Sequence, residues 1–352
     1  MAVYAISNQK FQEMWLRHDE QLRPWPYPEE AAVLLSFFLN PIDLDRTPIE
    51  EIGDGYLRPE TVRQVLSRLI ESGMLVRVDG HLEAHGLLTS MASATATIAE
   101  DVAALGERAL EDGTLDELRA LSDQLVALRA RLAAKRAPHL AEQLAALGVT
   151  PASKHLRLHF GVPGLRRLAG WINIEPAPAE LSASMTWQLP FDDGQVQYVF
   201  CAHTLEHLHY KAQALRFVRE VHRTLEPGGV LRVIVPDIGL LMRSYVDASS
   251  TLLATRQMMK HYSFTAMLHT RIQHVLQYAG TQGRPGQFFH HKYGYDHETL
   301  LALLEEAGFA HVRRAEFQDS EHAALRIDDQ CSAAKHAIGE HSFSVFAEGV
   351  KQ

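Results

Sequence analysis

Between residues 196 and 237 the spacing of apolar positions changes twice. VQYVFC (196–201) is apolar and β-branched or aromatic, broken only by Gln197. Such a run predicts a strand buried on both faces of a parallel sheet. Leu215, Val218, Val221 and Leu225 then recur three or four apart, the stripe of an amphipathic helix. Pro227-Gly228-Gly229 cannot extend that helix, and its glycines allow a turn. Residues 230–235 predict the next strand, stopped by Pro236-Asp237. The whole is one right-handed β-α-β unit with both strand ends at one crevice. His203 and Asp237 lie just beyond those ends.

The same alternation continues on both sides. Residues 156–160 predict a strand followed by Gly161-Val162-Pro163-Gly164, and residues 171–174 a second strand ending in Glu175. A glycine turn after one strand, with an acid at the tip of the next, suits a nucleoside: the backbone approaches the ligand and the carboxylate accepts the ribose hydroxyls. Only ten residues, 161–170, join the two strands, which is short for a helical crossover. Residues 238–290 predict a largely helical insertion, with Met242, Met258, Met259, Tyr262, Phe264, Met267 and Tyr278 as adaptable apolar surface. They are either ordinary helix core or a lid over the crevice, and Phe288-Phe289-His290-His291 follows them. Residues 298–304 predict the last full helix, ended by Gly308.

Ahead of this lie two regions of different pattern. Residues 1–92 predict a small domain: an apolar helix over 29–39 stopped by Asn40-Pro41, and a second opening at Arg58-Pro59-Glu60. In the second, Val62, Val65, Leu66, Leu69 and Ile70 share a face and Gly73 ends it. Residues 75–78, Asp79-Gly80 and residues 81–84 predict a β-hairpin. Helix followed by hairpin, as in ETVRQVLSRLIESGMLVRVDG, resembles the winged-helix fold. Residues 93–150 turn to Ala, Leu, Glu and Arg, a helical connector. Thr114 with Glu117 makes a capping box, and Leu118, Leu121, Leu125, Leu128 and Leu132 form a short heptad-like seam. The seam serves either to pack on a neighbouring domain or to pair two subunits. Pro138 and residues 148–151 are expected to mark the hinge into the domain spanning 151–352.

Charge narrows the partners. The chain of 352 residues carries a net charge of −9, and residues 1–90 hold 14 acidic against 8 basic side chains. A DNA reader concentrates Lys and Arg on its groove helix, but here Arg63 and Arg68 are offset by Glu60 and Glu71. No nucleic-acid partner is expected; the small domain is read as packing, dimerising or presenting substrate. The longest apolar run, 31–39, is too short to cross a bilayer, and MAVYAISNQKFQE shows no secretory pattern. With two cysteines far apart, Cys201 and Cys331, the expectation is a cytoplasmic protein without disulfides or membrane contact.

LRLHFGVPGLRRLAGWINIE, WQLPFDDGQVQYVFCAHTLEHL and LEPGGVLRVIVPD, in this order, resemble class I S-adenosylmethionine-dependent methyltransferases. The likeness is to a bacterial group with gwiNiD, LPF, HxLEH and PD segments. HHKYGYDHETLLALLEEAGF and SFSVFAEGVK match that group's last helix and final strand. The resemblance spans about residues 154–350. It implies a Rossmann-like, seven-stranded α/β domain, S-adenosylmethionine as cofactor, and methyl transfer to a hydroxyl or amine of a sugar, peptide or secondary metabolite. It also gives roles. Gly161 and Gly164 line the methionine end, Glu175 holds the ribose, and Trp187, Gln188 and Leu189 flank the adenine. Ala202 and His203 approach the methionine moiety and reacting centre; Asp237 lies on the substrate side. Small-molecule O-methyltransferases with a winged-helix dimerisation domain are a precedent for the whole, so a homodimer is expected.

Methyl transfer asks mainly for in-line positioning, with a base near neutral pKa when the acceptor carries a proton. Among 20 histidines, His203 is the expected base, His291 the second candidate, and Asp237 an orienting carboxylate. No metal is expected. Two alternatives stay open: a catalytically silent assembly partner on the same fold, and a His-ligated metal enzyme. For the latter, His203-x-x-Glu206-His207 matches the H-x-x-E-H zinc pattern, and His203 with His290 or His291 is another ligand pair. The expectation is that His203 lies in a turn, off any helix.

Overall fold

The computed structural model describes residues 3–6, 42–45, 49, 52, 58–77, 114–161, 168–175, 180–247, 270–280, 291–330, 337–338 and 341–352. In the N-terminal part, β1 (Val3–Ile6) lies between β2 (Ile42–Asp43) and a strand at residues 75–77. Helix α1 (Pro59–Glu71) starts with a proline, whose missing N–H costs nothing at that position. It buries Val62, Val65, Leu66 and Leu69, the face that the spacing predicts. Gly73 then turns the chain at φ 72° into β3 (Leu75–Arg77). β3 pairs antiparallel with β1; the expected second wing strand at 81–84 and the helix at 29–39 lie outside the described residues.

Helix α2 (Thr114–Ala146) runs 33 residues and carries Pro138 within it. The expected hinge at Pro138 is therefore corrected: the chain stays helical through it and stops where Gly148 adopts φ 69°. Leu140, Leu144, Leu147 and Val149 pack against the core of the following domain. Apolar contact there outweighs the local preference of one proline.

The C-terminal domain is built on β4 (Leu156–Phe160), β5 (Ile172–Glu175), β6 (Leu181–Ser182), β7 (Val196–Ala202) and β8 (Leu225–Pro236). It is completed by β9 (Ala310–Ala315), the small pair β10 (Ala337–Ile338) and β11 (His341–Ser342), and β12 (Ser344–Val350). The main sheet has seven strands in the order β6-β5-β4-β7-β8-β12-β9. β4 to β8 pair in parallel, and β12 runs antiparallel to both β8 and β9. Strand order reverses between β4 and β7, so their carboxyl ends part and leave a crevice, the usual ligand position in open α/β sheets.

Side chains sort with the two-residue period of a strand. Leu158, Phe160, Val199, Cys201, Leu231 and Val233 join one core, with helices α3 (Leu215–Thr224) and, later in the chain, residues 300–304 over it. Phe200, Ala202, Val230 and Ile234 join the other with Trp171 and Phe346. β7 thus has buried side chains on both faces, as its apolar run predicts. β8 departs from expectation at its start. Pairing with β7 already begins at Leu225, the register shifts across 226–229, and it resumes at Tyr198↔Val230. The Pro-Gly-Gly segment bulges out of the sheet, with Gly228 at φ 82°.

Of the 238–290 insertion, the described parts are α4 (Ile238–Val246) and α5 (Arg271–Tyr278). Met258, Met259, Tyr262, Phe264, Met267 and His290 lie outside the described residues. The last helix, α6 (His297–Glu306), is capped by Asp296, whose carboxylate accepts from the Thr299 amide at 2.9 Å. Among the described residues no helix is long and apolar enough to cross a membrane.

Candidate functional site

Sheet register places the first group. Phe160 stands opposite both Ile174 and Cys201. Gly161, Glu175 and Ala202 therefore leave neighbouring strands at one level, on one edge. The Glu175 side chain and Gly164 lie outside the described residues. Thr204 ties the edge together, its hydroxyl donating to the carbonyls of Phe160 (3.3 Å) and Ala202 (3.0 Å).

The ten-residue crossover between β4 and β5 is held by Asn173, which the spacing left unassigned. Its buried amide donates to the carbonyls of Leu168 (3.2 Å) and Trp171 (3.1 Å) and to Glu180 (2.6 Å). Its oxygen accepts from the Leu168 amide (2.9 Å) and meets His159 Nδ1 at 2.8 Å. Burial lowers the His159 pKa to about 4, only partly opposed by the Asn173 bond, so this ring is neutral at pH 7. The asparagine replaces the hydrogen bonds that a longer helical crossover would have made for itself.

The LPF stretch is fixed to α3. Leu189 is buried, and its amide donates to Glu220 at 3.1 Å. Arg223 reaches the carbonyls of Leu189 (3.2 Å) and Phe191 (3.0 Å) while pairing with Glu220 and Asp193. Trp187 is half-buried and Gln188 exposed. This staple presents residues 187–189 with little freedom.

His203 follows β7 directly. Its φ is 51°, a left-handed conformation that costs a non-glycine residue of order 1 kcal/mol or more. The turn is closed by its amide donating to the Ile234 carbonyl at 2.8 Å. It lies off the helical turn Leu205–His207, as expected. Only 8% exposed, it has both ring nitrogens engaged: Nε2 is 2.9 Å from Ser344 Oγ, and Nδ1 is 3.5 Å from Glu206 Oε1.

Glu206 is 1% exposed, and neither carboxylate oxygen accepts a hydrogen bond of normal length among the described residues. Its surroundings are imidazoles, with His291 Nε2 at 4.0 Å. Burial would push its carboxyl up; the His203 contact and the imidazoles of His203, His207 and His291 outweigh that and hold it at about 2. His291 is lowered to about 3, first by burial and then by His207. At pH 7 it is neutral and lends Glu206 no full charge. The His291 ring meets His207 and Tyr278 edge-on, each at 5.0 Å between centroids.

Asp237 has another occupation. Its carboxylate caps α4, accepting from the Leu240 amide at 2.9 Å, with Arg243 at 3.5 Å. The groups that orient His203 are Glu206 and Ser344 in place of Asp237. Ser344 enters at the head of β12, 141 positions away, and no local spacing could have signalled it. Glu206 was visible within H-x-x-E-H, but its role depends on burial.

The sheet order β6-β5-β4-β7-β8-β12-β9, with β12 antiparallel to its neighbours, frames this site. Residues 168–233 match a family model described as a methyltransferase domain. Over that stretch the chain matches a methyltransferase domain. No curated protein matches. Among solved structures, a SAM-dependent methyltransferase from Thermotoga maritima is similar at 19% identity over 60% of this chain and 89% of that one, TM-score 0.31. One from Archaeoglobus fulgidus is 12% identical over 61% and 94%, TM-score 0.30. The S-adenosylmethionine-dependent methyltransferase SibL, in its apo form, is 13% identical over 98% and 96%, TM-score 0.30.

The groups at this edge suit S-adenosylmethionine. The edge offers the Gly161 backbone, an acidic residue at the end of the neighbouring strand, and the small, fully buried Ala202 just before His203. That is the chemistry a methionine moiety and a ribose diol require.

Proposed function

We propose that this chain transfers a methyl group from S-adenosylmethionine to a hydroxyl or amine on a sugar, peptide or secondary metabolite. The observation that carries the reading is the shared edge of β5, β4 and β7 at the strand-order reversal, where Glu175, Gly161 and His203 emerge together. When bound, the donor's sulfonium supplies an electrophilic methyl, so the protein's work is alignment and proton removal.

Gly161 and Gly164 let the backbone approach the methionine end, and Glu175 receives the ribose hydroxyls. Trp187, Gln188 and Leu189 flank the adenine on the stapled LPF segment. His203 is the base. With Nδ1–H turned toward Glu206, Nε2 keeps its lone pair, and the acceptor's proton reaches it through the Ser344 hydroxyl. His291 and Asp237 stand on the acceptor side, the first as a neutral imidazole and the second at the head of α4. The N-terminal winged-helix-like part and the connector serve dimerisation or substrate presentation, and the protein works as a cytoplasmic homodimer.

Titration calorimetry with S-adenosylmethionine tests the reading. Binding by the wild type and weakened binding by Glu175→Ala are expected; unchanged affinity in the variant places the ribose elsewhere. No heat at all from folded protein would favour a silent assembly partner, a reading that the doubly engaged, nearly buried His203 also suits. The mass of the product formed with isotope-labelled donor identifies the acceptor atom.

A further inference from the structure

Orienting His203 engages Glu206 only from one side and at 3.5 Å, which leaves a buried carboxylate with imidazoles on several sides and no hydrogen bond of normal length among the described residues. Glu206, His207 and His291 each point one donor atom into a common space, all within 4.8 Å of one another. We propose that Glu206, His207 and His291 form a binding site for one divalent transition-metal ion, of the kind zinc fills.

Three lines of geometry support it. Two imidazoles and one carboxylate are a recurring ligand set for zinc, with further positions left for water or substrate. Donor atoms bound at about 2.0–2.2 Å stand roughly 3.3 Å apart in a tetrahedral site, so closing from a spacing within 4.8 Å needs at most about 1.5 Å of side-chain movement, shared among the three ligands. The backbone under the site is already assembled. The Glu206 carbonyl accepts from the Lys292 amide at 2.7 Å and from the Tyr293 amide at 3.3 Å, which fixes His291 beside the Leu205–His207 turn. Packing of His291 edge-on against His207 and Tyr278 limits the rotation of its ring.

The orphaned carboxylate is the second, independent sign. Stripping a carboxylate of water without giving it a donor is costly. Glu206 is 1% exposed with both oxygens lacking a hydrogen bond, and the flanking imidazoles stand at 3.5 and 4.0 Å. A cation in the space between supplies what those distances do not. The ligand set differs from the H-x-x-E-H pattern, in which both histidines bind and the glutamate is free. His203 is drawn off by its left-handed turn and by Ser344, and Glu206 takes its place.

The test is metal binding, which proceeds whether or not the chain transfers methyl groups, so the two readings fail separately. Metal-stripped full-length protein is titrated with Zn2+ in a calorimeter. One equivalent is expected to bind, with affinity falling about 100-fold or more in His291→Ala, His207→Ala and Glu206→Gln, at least the loss seen when a supporting residue around a metal is removed. His311→Ala, on the exposed edge strand β9, should bind as the wild type does. Equal affinity in all variants would show scattered surface histidines and overturn the site, as would the absence of stoichiometric binding. Should the variants fail to fold, the wild type still decides: the Co2+ form must show paramagnetically shifted ring protons from two histidines. A spectrum without them overturns the proposal.

Discussion

His203 shows how one residue's position sets its chemistry. It ends a largely buried strand, takes a left-handed backbone that most side chains avoid, and sets its ring between Ser344 at the head of β12 and Glu206. His203→Ala is expected to lower kcat about 10²–10⁴-fold, the usual share of general base catalysis, with donor affinity nearly unchanged; an equal loss in both would remove it as the base. His159 makes a second prediction at this level. Its folded pKa of about 4 lies below the ordinary value of 6.5. Between those values the unfolded chain holds the extra proton, so stability falls as pH drops from about 6.5 toward 4. The loss is on the order of 3 kcal/mol. Chemical denaturation across that window should show it, and His159→Gln should flatten the slope.

Among the elements, β8 carries the largest buried charge. Arg232 is fully buried and held by Asp328 at 2.8 and 2.6 Å, by Glu348 at 2.8 Å, and by the carbonyls of Asp319 and Glu316. Glu348 also pairs with Arg313. The cluster sews β8 to β12 and to the 316–328 segment. Replacing Arg232 by Met keeps the volume but leaves Asp328 without its cation, and should cost about 3–5 kcal/mol in equilibrium unfolding. A loss under about 1 kcal/mol would show that the carboxylate regains water. The crossover behaves likewise. Asn173→Leu removes all its hydrogen bonds between β4 and β5, and donor affinity should weaken together with stability, because Gly161 and Glu175 are spaced by that link.

At the level of the molecule, the core of the C-terminal sheet domain takes in side chains N-terminal of residue 151. Leu140, Leu144, Leu147 and Val149 are partly buried against it. A truncated chain starting at residue 151 should therefore be less stable than one starting at 137, by on the order of 3–5 kcal/mol at half the usual burial per side chain. Matching melting curves would place the boundary back at 151. Whether the Leu118–Leu132 seam packs within the chain or pairs two subunits is decided by sedimentation at micromolar concentration: twice the mass of one chain supports the proposed homodimer, and a single mass overturns it.

Strand and helix periods depend on neighbours in the chain, which is why β7, α3, the buried face of α1 and the α/β alternation were readable from spacing alone. The order of motifs likewise brought Gly161, Glu175 and His203 together, since parallel strands joined by right-handed crossovers must end on one edge. What joins remote segments was not readable: Ser344 and Glu206 around His203, Asn173 across the crossover, Asp328 and Glu348 around Arg232. Each is an ordinary polar residue in sequence. Its partner and its burial exist only once the sheet has closed, and there the loss of water turns a common side chain into an obligate partner. Pro138 makes the same point in reverse, a local helix breaker overruled by leucines that find a core.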